Sequence, residues 1–400
     1  MPWKDTRPVD QRLKFIEARL SGEHSMVTLC RMFGISTKTG YKWWHRFEQE
    51  GMPGLLDRSR ASRRHPNATA EDMVTLVIGA RRRHPTWGPR KLRAWLQGKG
   101  YKPPASSTIG DILRREGLVR PKRRRPRPGC YADGLSAQDQ PNAVWAADFK
   151  GHFKLRSGAK CYPLTISDGF SRYLLRCEAL RHPDRLSARE VFDAAFAEFG
   201  LPWTLRTDNG TPFSATHGIS ELTVWWIQLG IEPERIERGK PTQNGRHERI
   251  HRTLKQDAIQ SVKPAGSFWA QQRIFDRFRH EYNEERPHEA LSDEPPASCY
   301  EPSPRRYPTK LREPEYGDDV VVYRVKPNGA ITHEGRDVFL SSTLRGEPVG
   351  LTGREDGSWK IHYGPLYLGS LSAQGRLTRG RKRRRRAKET NDEIPTIQTT

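Results

Sequence analysis

The texture of the chain changes twice, and those changes limit what it can fold into. Up to about residue 119 the apolar residues recur at helical spacing. Residues 120–128, Arg-Pro-Lys-Arg-Arg-Arg-Pro-Arg-Pro, are then too charged and proline-rich to pack. From about Asn142, short apolar runs alternate with amphipathic stretches. No single core can run through such a break. Several domains are expected, as 400 residues also suggest at roughly 150 per domain.

The charge selects a class of partner. Lys and Arg number 70 against 47 Asp and Glu, a formal net charge of +23. An excess this large favours a polyanion, either nucleic acid or an anionic membrane surface. Membrane is the weaker choice, because no apolar run approaches the ~20 residues needed to span a bilayer. The start, Met1-Pro-Trp-Lys-Asp-Thr-Arg7, lacks the apolar core of a signal peptide. Cys30, Cys130, Cys161, Cys177 and Cys299 are odd in number, scattered and without a CxxC pair, which fits reduced thiols. These features together predict a soluble, cytosolic chain whose leading partner is nucleic acid.

The first sixty residues read as a helix-turn-helix. Val9, Leu13, Ile16 and Leu20 make one helical stripe, and Val27–Phe33 a second short helix. Gly34-Ile-Ser36 supplies the turn, and Ser36 caps a third helix through Tyr41, Trp44 and Phe47. That helix would turn Thr37, Lys38, Lys42 and Arg46 outward, towards a major groove. The alternative is a plain three-helix core with a solvated basic face. A second unit follows over 65–119, with helices at Glu71–Arg82, Pro89–Leu96 and Thr108–Arg115 and with Arg114 and Arg115 outward. It is either a second DNA reader or a spacer. In the basic linker, Arg123 and Arg124 are candidates for tracking phosphates.

Beyond the linker the periodicity predicts strands at Val144–Phe149, Ala159–Ser167 and Arg172–Cys177 and a helix at Ser187–Phe199. A strand at Trp203–Thr207, a helix at Glu221–Leu229, a strand at Ile231–Ile236 and a helix at Arg246–Gln260 follow. This is a mixed sheet covered by helices. A helix at Phe268–Glu284 and a proline-rich stretch lead to short strands between 319 and 368, a small β-barrel. That barrel suits either a nucleic-acid platform or an oligomerisation module. The expected divisions are 1–60, 65–119, a linker at 120–138, a core at 139–262, a connector at 263–314, the barrel at 315–372 and a basic disordered tail at 373–400.

Three acids stand out by position. Asp148 lies in or at the end of the first core strand, and Asp208 where a strand ends in the turn Asn209-Gly210. Glu248 lies early in a helix entered through Gly239-Lys-Pro-Thr-Gln-Asn-Gly245. Strand ends and a nearby helix can converge, and hard divalent cations prefer such oxygen ligands. Each acid alone also suits an ordinary turn or surface. Asp168, in a turn with Ser171 and Arg172, is expected to fix a hairpin, with Asn209 and Gly210 permitting the other turn.

These pieces resemble a known family when taken in order. They are Trp145-Ala-Ala-Asp148-Phe-Lys150, Asp168-Gly-Phe-Ser-Arg172, Thr207-Asp208-Asn-Gly210, Pro241-Thr-Gln-Asn-Gly245 with Glu248, and Tyr282-Asn-Glu-Glu-Arg-Pro-His288. The set resembles the DDE transposases of bacterial insertion sequences, whose catalytic core is like that of retroviral integrases. The resemblance implies a multidomain α/β chain: a ribonuclease H-like mixed-sheet core, two helix-turn-helix units before it and a small β-barrel after it. It implies that Asp148, Asp208 and Glu248 hold Mg²⁺ or Mn²⁺, two ions, and that the chain, cytoplasmic and nucleoid-associated, cuts and joins double-stranded DNA at element ends and target as a homo-oligomer. The 40-residue interval between Asp208 and Glu248 exceeds the common spacing, implying a small insertion around 214–220 and leaving Glu237 as a competing acid. Arg252 and Lys255 share the Glu248 face and would hold phosphates beside the metals, unless they form only a salt-bridged stripe. Tyr282–His288 is read as packing or DNA-backbone contacts.

Two other classes remain. A chain with the same fold and no catalysis would be a DNA-binding regulator or assembly protein. The spelling His247-Glu248-Arg-Ile-His251 also matches H-E-x-x-H, the zinc site of a metalloprotease.

Overall fold

The computed structural model describes residues 7–59, 68–119, 135–214, 219–237 and 240–379. The expected roles of Arg123, Arg124 and Cys130, and most of the linker and the tail, lie outside the described residues.

The first unit, within Met1–Thr69, holds its own compact set of contacts. Its helices are α1 Pro8–Leu20, α2 Met26–Met32 and α3 Thr37–Glu50. The expected cap is present, with Ser36 Oγ accepting from Thr39 N at 3.2 Å. Of the three aromatic residues marked along α3, Trp44 and Phe47 pack against the core of this unit and Tyr41 does not. Gly40 and Trp43 face the core while Tyr41 is exposed. Gly40 allows the close approach: a Cβ there would collide with Cys30 Sγ and come within 3.1 Å of the Phe15 ring, so the helix packs on its smallest residue with Tyr41 outside.

The second unit, Ala70–Thr400, begins with another three-helix group, α4 Glu71–Arg83, α5 Pro89–Gly98 and α6 Ser106–Arg115. Val77, Trp87, Leu92, Leu96, Ile109, Ile112 and Leu113 form its core. Pro89 opens α5, where a missing N–H costs nothing.

The sheet of the core then begins. Its elements are β1 Val144–Phe149, β2 Phe153–Lys154, β3 Lys160–Asp168, β4 Leu174–Leu180, α7 Arg185–Phe199, β5 Thr204–Thr207, α8 Glu221–Gln228 and β6 Glu232–Arg235. α9 Gly245–Leu254 and α10 Phe268–His280 follow, each running on into a π-helical stretch, Lys255–Gln260 and Glu281–Glu285. Strand order is β2-β3-β1-β5-β6, with β4 also on β3. The β1–β3 and β3–β4 pairs are antiparallel, and β1–β5 and β5–β6 are parallel. This is a ribonuclease H-like mixed sheet.

Alternation along the strands decides which face each residue serves. Trp145, Ala147, Leu164, Ile166 and Leu205 pack against Phe192, Phe196, Trp225 and Trp226 of α7 and α8. Cys161 and Cys177 meet Ile250, Leu254, Phe275 and Phe278 of α9 and α10 on the opposite face. The parity of β1 and β3 therefore sends Asp148, Thr165 and Ser167 to the α9 side.

The expected barrel takes the form of β7 Val321–Arg324, β8 Ala330–His333, β9 Arg336–Phe339, β10 Pro348–Gly353, β11 Trp359–Tyr363, β12 Leu366–Leu371 and β13 Leu377–Thr378. Five strands form an antiparallel sheet in the order β13-β12-β11-β10-β7, and β8–β9 is a separate hairpin. Ile331, Val338, Val349, Leu351, Ile361 and Tyr363 share one core with Val224 and Ile227 of α8. Among the described residues no helix is long and apolar enough to cross a membrane.

Candidate functional site

Register brings two of the acids side by side. β1 and β5 are parallel with Ala147 opposite Thr207, so the next residues are Asp148, in β1, and Asp208, just past the end of β5. The Asp208 turn is held locally: Gly210 N donates to Asp208 Oδ1 at 2.9 Å and Asn209 Nδ2 to the Ile236 carbonyl at 2.7 Å. Gly210 suits this position because a Cβ would come within 3.0 Å of Asp208 Oδ2.

Glu248 reaches the same region from α9, whose buried face is His247, Ile250, His251 and Leu254. The electrostatics register the convergence. Burial first, then the charge of Asp208 and to a smaller degree that of Glu248 push the Asp148 carboxyl up to about 7, against the pull of Lys150. Among the described residues, however, no three His, Cys, Asp or Glu side chains are gathered closely enough to be ligands of one ion. The three acids act on one another without forming a closed ligand set. Like charges with no cation between them repel.

The competing acid is otherwise engaged. Glu237 Oε1 accepts from Gln243 Nε2 at 3.2 Å and Oε2 from Lys240 Nζ at 3.0 Å, tying down the loop into α9.

The two histidines of the H-E-x-x-H spelling do not form a zinc site. His247 is buried with both ring nitrogens in use, Nε2 at 2.7 Å from Thr165 Oγ1 and Nδ1 at 2.8 Å from Ser167 Oγ. His251 Nε2 lies 2.8 Å from the same Thr165 hydroxyl, which donates to the Asp148 carbonyl at 3.3 Å. A hydroxyl has one proton and two acceptor sites, so this donation leaves Thr165 accepting from both imidazoles and Ser167 donating to His247 Nδ1. Burial lowers His247 to about 3 and, with His247 as a neighbour, His251 to about 2. Both rings are neutral pegs that fasten α9 to β3, while Glu248 stays on the exposed side of the helix. The zinc protease reading is corrected on that ground.

Asp168 has the structural role expected of it. Its carboxylate accepts from Asn142 N at 2.8 Å and from Ser171 N and Oγ at 2.8 and 2.6 Å. Of the candidate DNA contacts, Thr37, Lys38, Lys42, Arg114, Arg115, Arg252 and Lys255 are exposed, and Arg46 is half-buried 5.0 Å from the Trp43 ring. Thr165 and Ser167 escaped the sequence reading, and His247 entered it only as a zinc candidate. The signal was there, since Thr165 and Ser167 are polar alternates in an otherwise apolar strand.

Comparison with known proteins agrees with this layout. The chain matches a helix-turn-helix domain over residues 11–64 and a homeodomain-like domain over 39–113. It matches the integrase core domain over 138–241 and again over 229–296. It is 27% identical over 230 residues to an uncharacterized 31.7 kDa protein of insertion element IS407 from Burkholderia multivorans, covering 57% of this chain and 79% of that protein. To an uncharacterized 39.2 kDa protein of insertion element IS476 from Xanthomonas euvesicatoria it is 27% identical, covering 61% and 69%. Among solved structures, the HTLV-2 integrase catalytic core domain in complex with magnesium aligns at 17% identity and a TM-score of 0.33, over 40% of this chain and 98% of that one.

Proposed function

The chain belongs to the bacterial insertion-sequence transposases with an integrase-like core, and from that premise we propose that it cuts and joins DNA strands at Asp148, Asp208 and Glu248. The observation that carries the proposal is the place of Asp148 and Asp208, each directly after the last paired residues of two parallel strands, Ala147 and Thr207, with Glu248 close enough to add to the rise in the Asp148 pKa.

A hard divalent cation fits this donor set. All three groups are carboxylates, hard oxygen donors whose mutual repulsion a cation between them would relieve. Asp148, Asp208 and Glu248 would hold Mg²⁺ or Mn²⁺, two ions by analogy with the family. Such ions lower the pKa of an attacking water and stabilise the leaving oxygen at phosphorus.

The chain's own residues supply the rest. The β1–β5 register fixes two carboxylates within one strand spacing, and the Thr165–His247–His251 bonds fix α9, and so Glu248, against them. Arg252 and Lys255, exposed beside Glu248, would hold the phosphates that flank the cut bond. Exposed Thr37, Lys38, Lys42, Arg114 and Arg115 would meet the DNA of the element end, assisted by Arg46 and by Arg123 and Arg124 of the linker. Cleavage would free a 3′-OH that attacks a target phosphodiester, with no covalent bond to the protein. Two ends must be handled together, so assembly as a homo-oligomer on DNA belongs to the same proposal.

Strand cleavage and transfer in Mg²⁺ or Mn²⁺, on a labelled duplex bearing the element end, tests it. Asp148→Asn and Asp208→Asn should abolish both steps and leave DNA binding intact. Full activity in both variants would sink the proposal. A wild-type chain that binds this DNA and cuts none of it would favour the regulator instead.

A further inference from the structure

The segment after α10 touches three other parts of the second unit. Asn283 receives Leu174 N at 2.8 Å and donates to Leu174 O at 3.0 Å, completing the start of β4. Arg286, nearly buried, donates to Asp257 Oδ2 at 2.6 Å in the π-helical stretch that prolongs α9. Its guanidinium lies 5.8 Å from the Trp87 ring centroid of the three-helix group, and the next residue's carbonyl, Pro287 O, accepts from Lys91 Nζ at 2.7 Å.

Around this centre runs a charged rim. Glu281, Glu285, Glu289 and Asp293 recur every four residues, and each meets a basic side chain, His84, Arg83 or Arg90, at the end of α4 or the start of α5. His84 Nδ1 lies 2.8 Å from Glu281, Arg83 3.3 Å from Glu285, and Arg90 2.8 Å from Glu289 and 2.9 Å from Asp293. The exposed pairs are worth little singly. The middle is different: His84 is buried and stacked on Trp87 at 3.8 Å, and burial beside Arg286 lowers Lys91 to about 8.

This contact occupies one side of the three-helix group and leaves the other open. Ser107, Asp111, Arg114 and Arg115 of α6 remain exposed. The helix available to DNA is thus carried by a base that is bolted, through Arg286 and Asp257, to the continuation of the Glu248 helix. DNA rises about 3.4 Å per base pair, so a slip of a few ångströms changes which phosphodiester meets the carboxylates.

We infer that Arg286, with Asp257 and Lys91, is a positioning joint that sets the span from the second helix-turn-helix unit to the carboxylates, and so chooses the bond that is cut. The inference rests on the strand-cleaving reading above. It assigns Tyr282–His288 to packing rather than to DNA contact.

Arg286→Ala would strand Asp257 inside the joint and endanger the fold, so the exposed rim carries the test. The reversals Arg83→Glu and Arg90→Glu are made together in the full chain, with Glu285→Arg, Glu289→Arg and Asp293→Arg as the restoring set. Hydrogen exchange should rise across 84–91 and 281–293 in the reversal and fall back when the sets are combined. Mapping of 3′ ends on the labelled element-end duplex should show one position for wild type. In the reversal it should show cuts spread over neighbouring positions, with affinity for that duplex within about threefold, and one position again in the combined variant. Unchanged exchange overturns the joint. Raised exchange with an unchanged cut position overturns its role in choosing the bond. If the wild-type chain cuts nothing, the strand-cleaving reading falls, and the exchange data alone decide whether the joint exists.

Discussion

The two helix-turn-helix units are built alike and used differently. The first, in residues 7–59, closes on Phe15, Ile16, Leu29, Trp43 and Leu55 and forms its own compact unit. The second closes on an equally apolar set, yet its contacts continue into the core through His84, Trp87 and Lys91. Helix count and hydrophobic period are nearly the same in both. The difference lies in a few charged and aromatic residues at the ends of α4 and α5, and in a stripe of acids about two hundred residues away that matches them. Independence of a small domain is therefore a property of its surface as much as of its core.

The largest effect should fall on neither unit. Asp148→Asn or Asp208→Asn should lower strand transfer by roughly 10²–10³-fold or more. Gel-shift affinity for the element end should stay within a factor of two, because both units keep the exposed helices proposed to meet DNA. Loss of DNA binding together with activity would show that the units depend on the carboxylates.

Trp87→Ala and Trp43→Ala test the contrast itself. Removing a buried tryptophan costs about 3–5 kcal/mol. Segment-resolved hydrogen exchange should show Trp43→Ala confined to residues 7–59, whereas Trp87→Ala should also loosen 281–293. Equal confinement of both would erase the distinction drawn here.

A smaller effect concerns pH. The Asp148 carboxyl is raised from 3.8 to about 7, so the fold favours its neutral form. Its contribution to stability is full below pH 3.8 and is lost as pH rises through 7. In metal-free protein at pH 8, Asp148→Asn should therefore raise stability of the core sheet that carries it by on the order of 2–4 kcal/mol, with little difference at pH 4. Chemical denaturation at the two pH values measures this, and a variant less stable at pH 8 would contradict it. Smallest is the α3 cap: Ser36→Ala should cost about 1 kcal/mol, felt only in the first unit.

Much of the fold was legible because its signals are local. β1 begins and ends where the apolar run Val144–Phe149 does, and Asp208 sits where the strand meets Asn-Gly. Other features depend on contacts that no local pattern encodes. The close approach of α3 rests on Gly40 against Cys30 and Phe15, and within the two π-helical stretches Asp257 and Asn283 bond to Arg286 and to Leu174 of β4. His247 and Glu248 spell a zinc motif, yet a helix turn of about 100° sends one into the sheet and leaves the other outside. At the site, residue types and order were readable, but the side-by-side placement of Asp148 and Asp208 required the parallel register.

The central claim is that Asp148, Asp208 and Glu248 together bind the divalent cation. Titration of Mn²⁺ into the DNA-free chain, followed by electron paramagnetic resonance, tests it most directly. Bound Mn²⁺ should be seen for wild type, should be lost in Asp148→Asn and Asp208→Asn, and should be weakened in Glu248→Gln. Equal Mn²⁺ binding by all four proteins would contradict the claim.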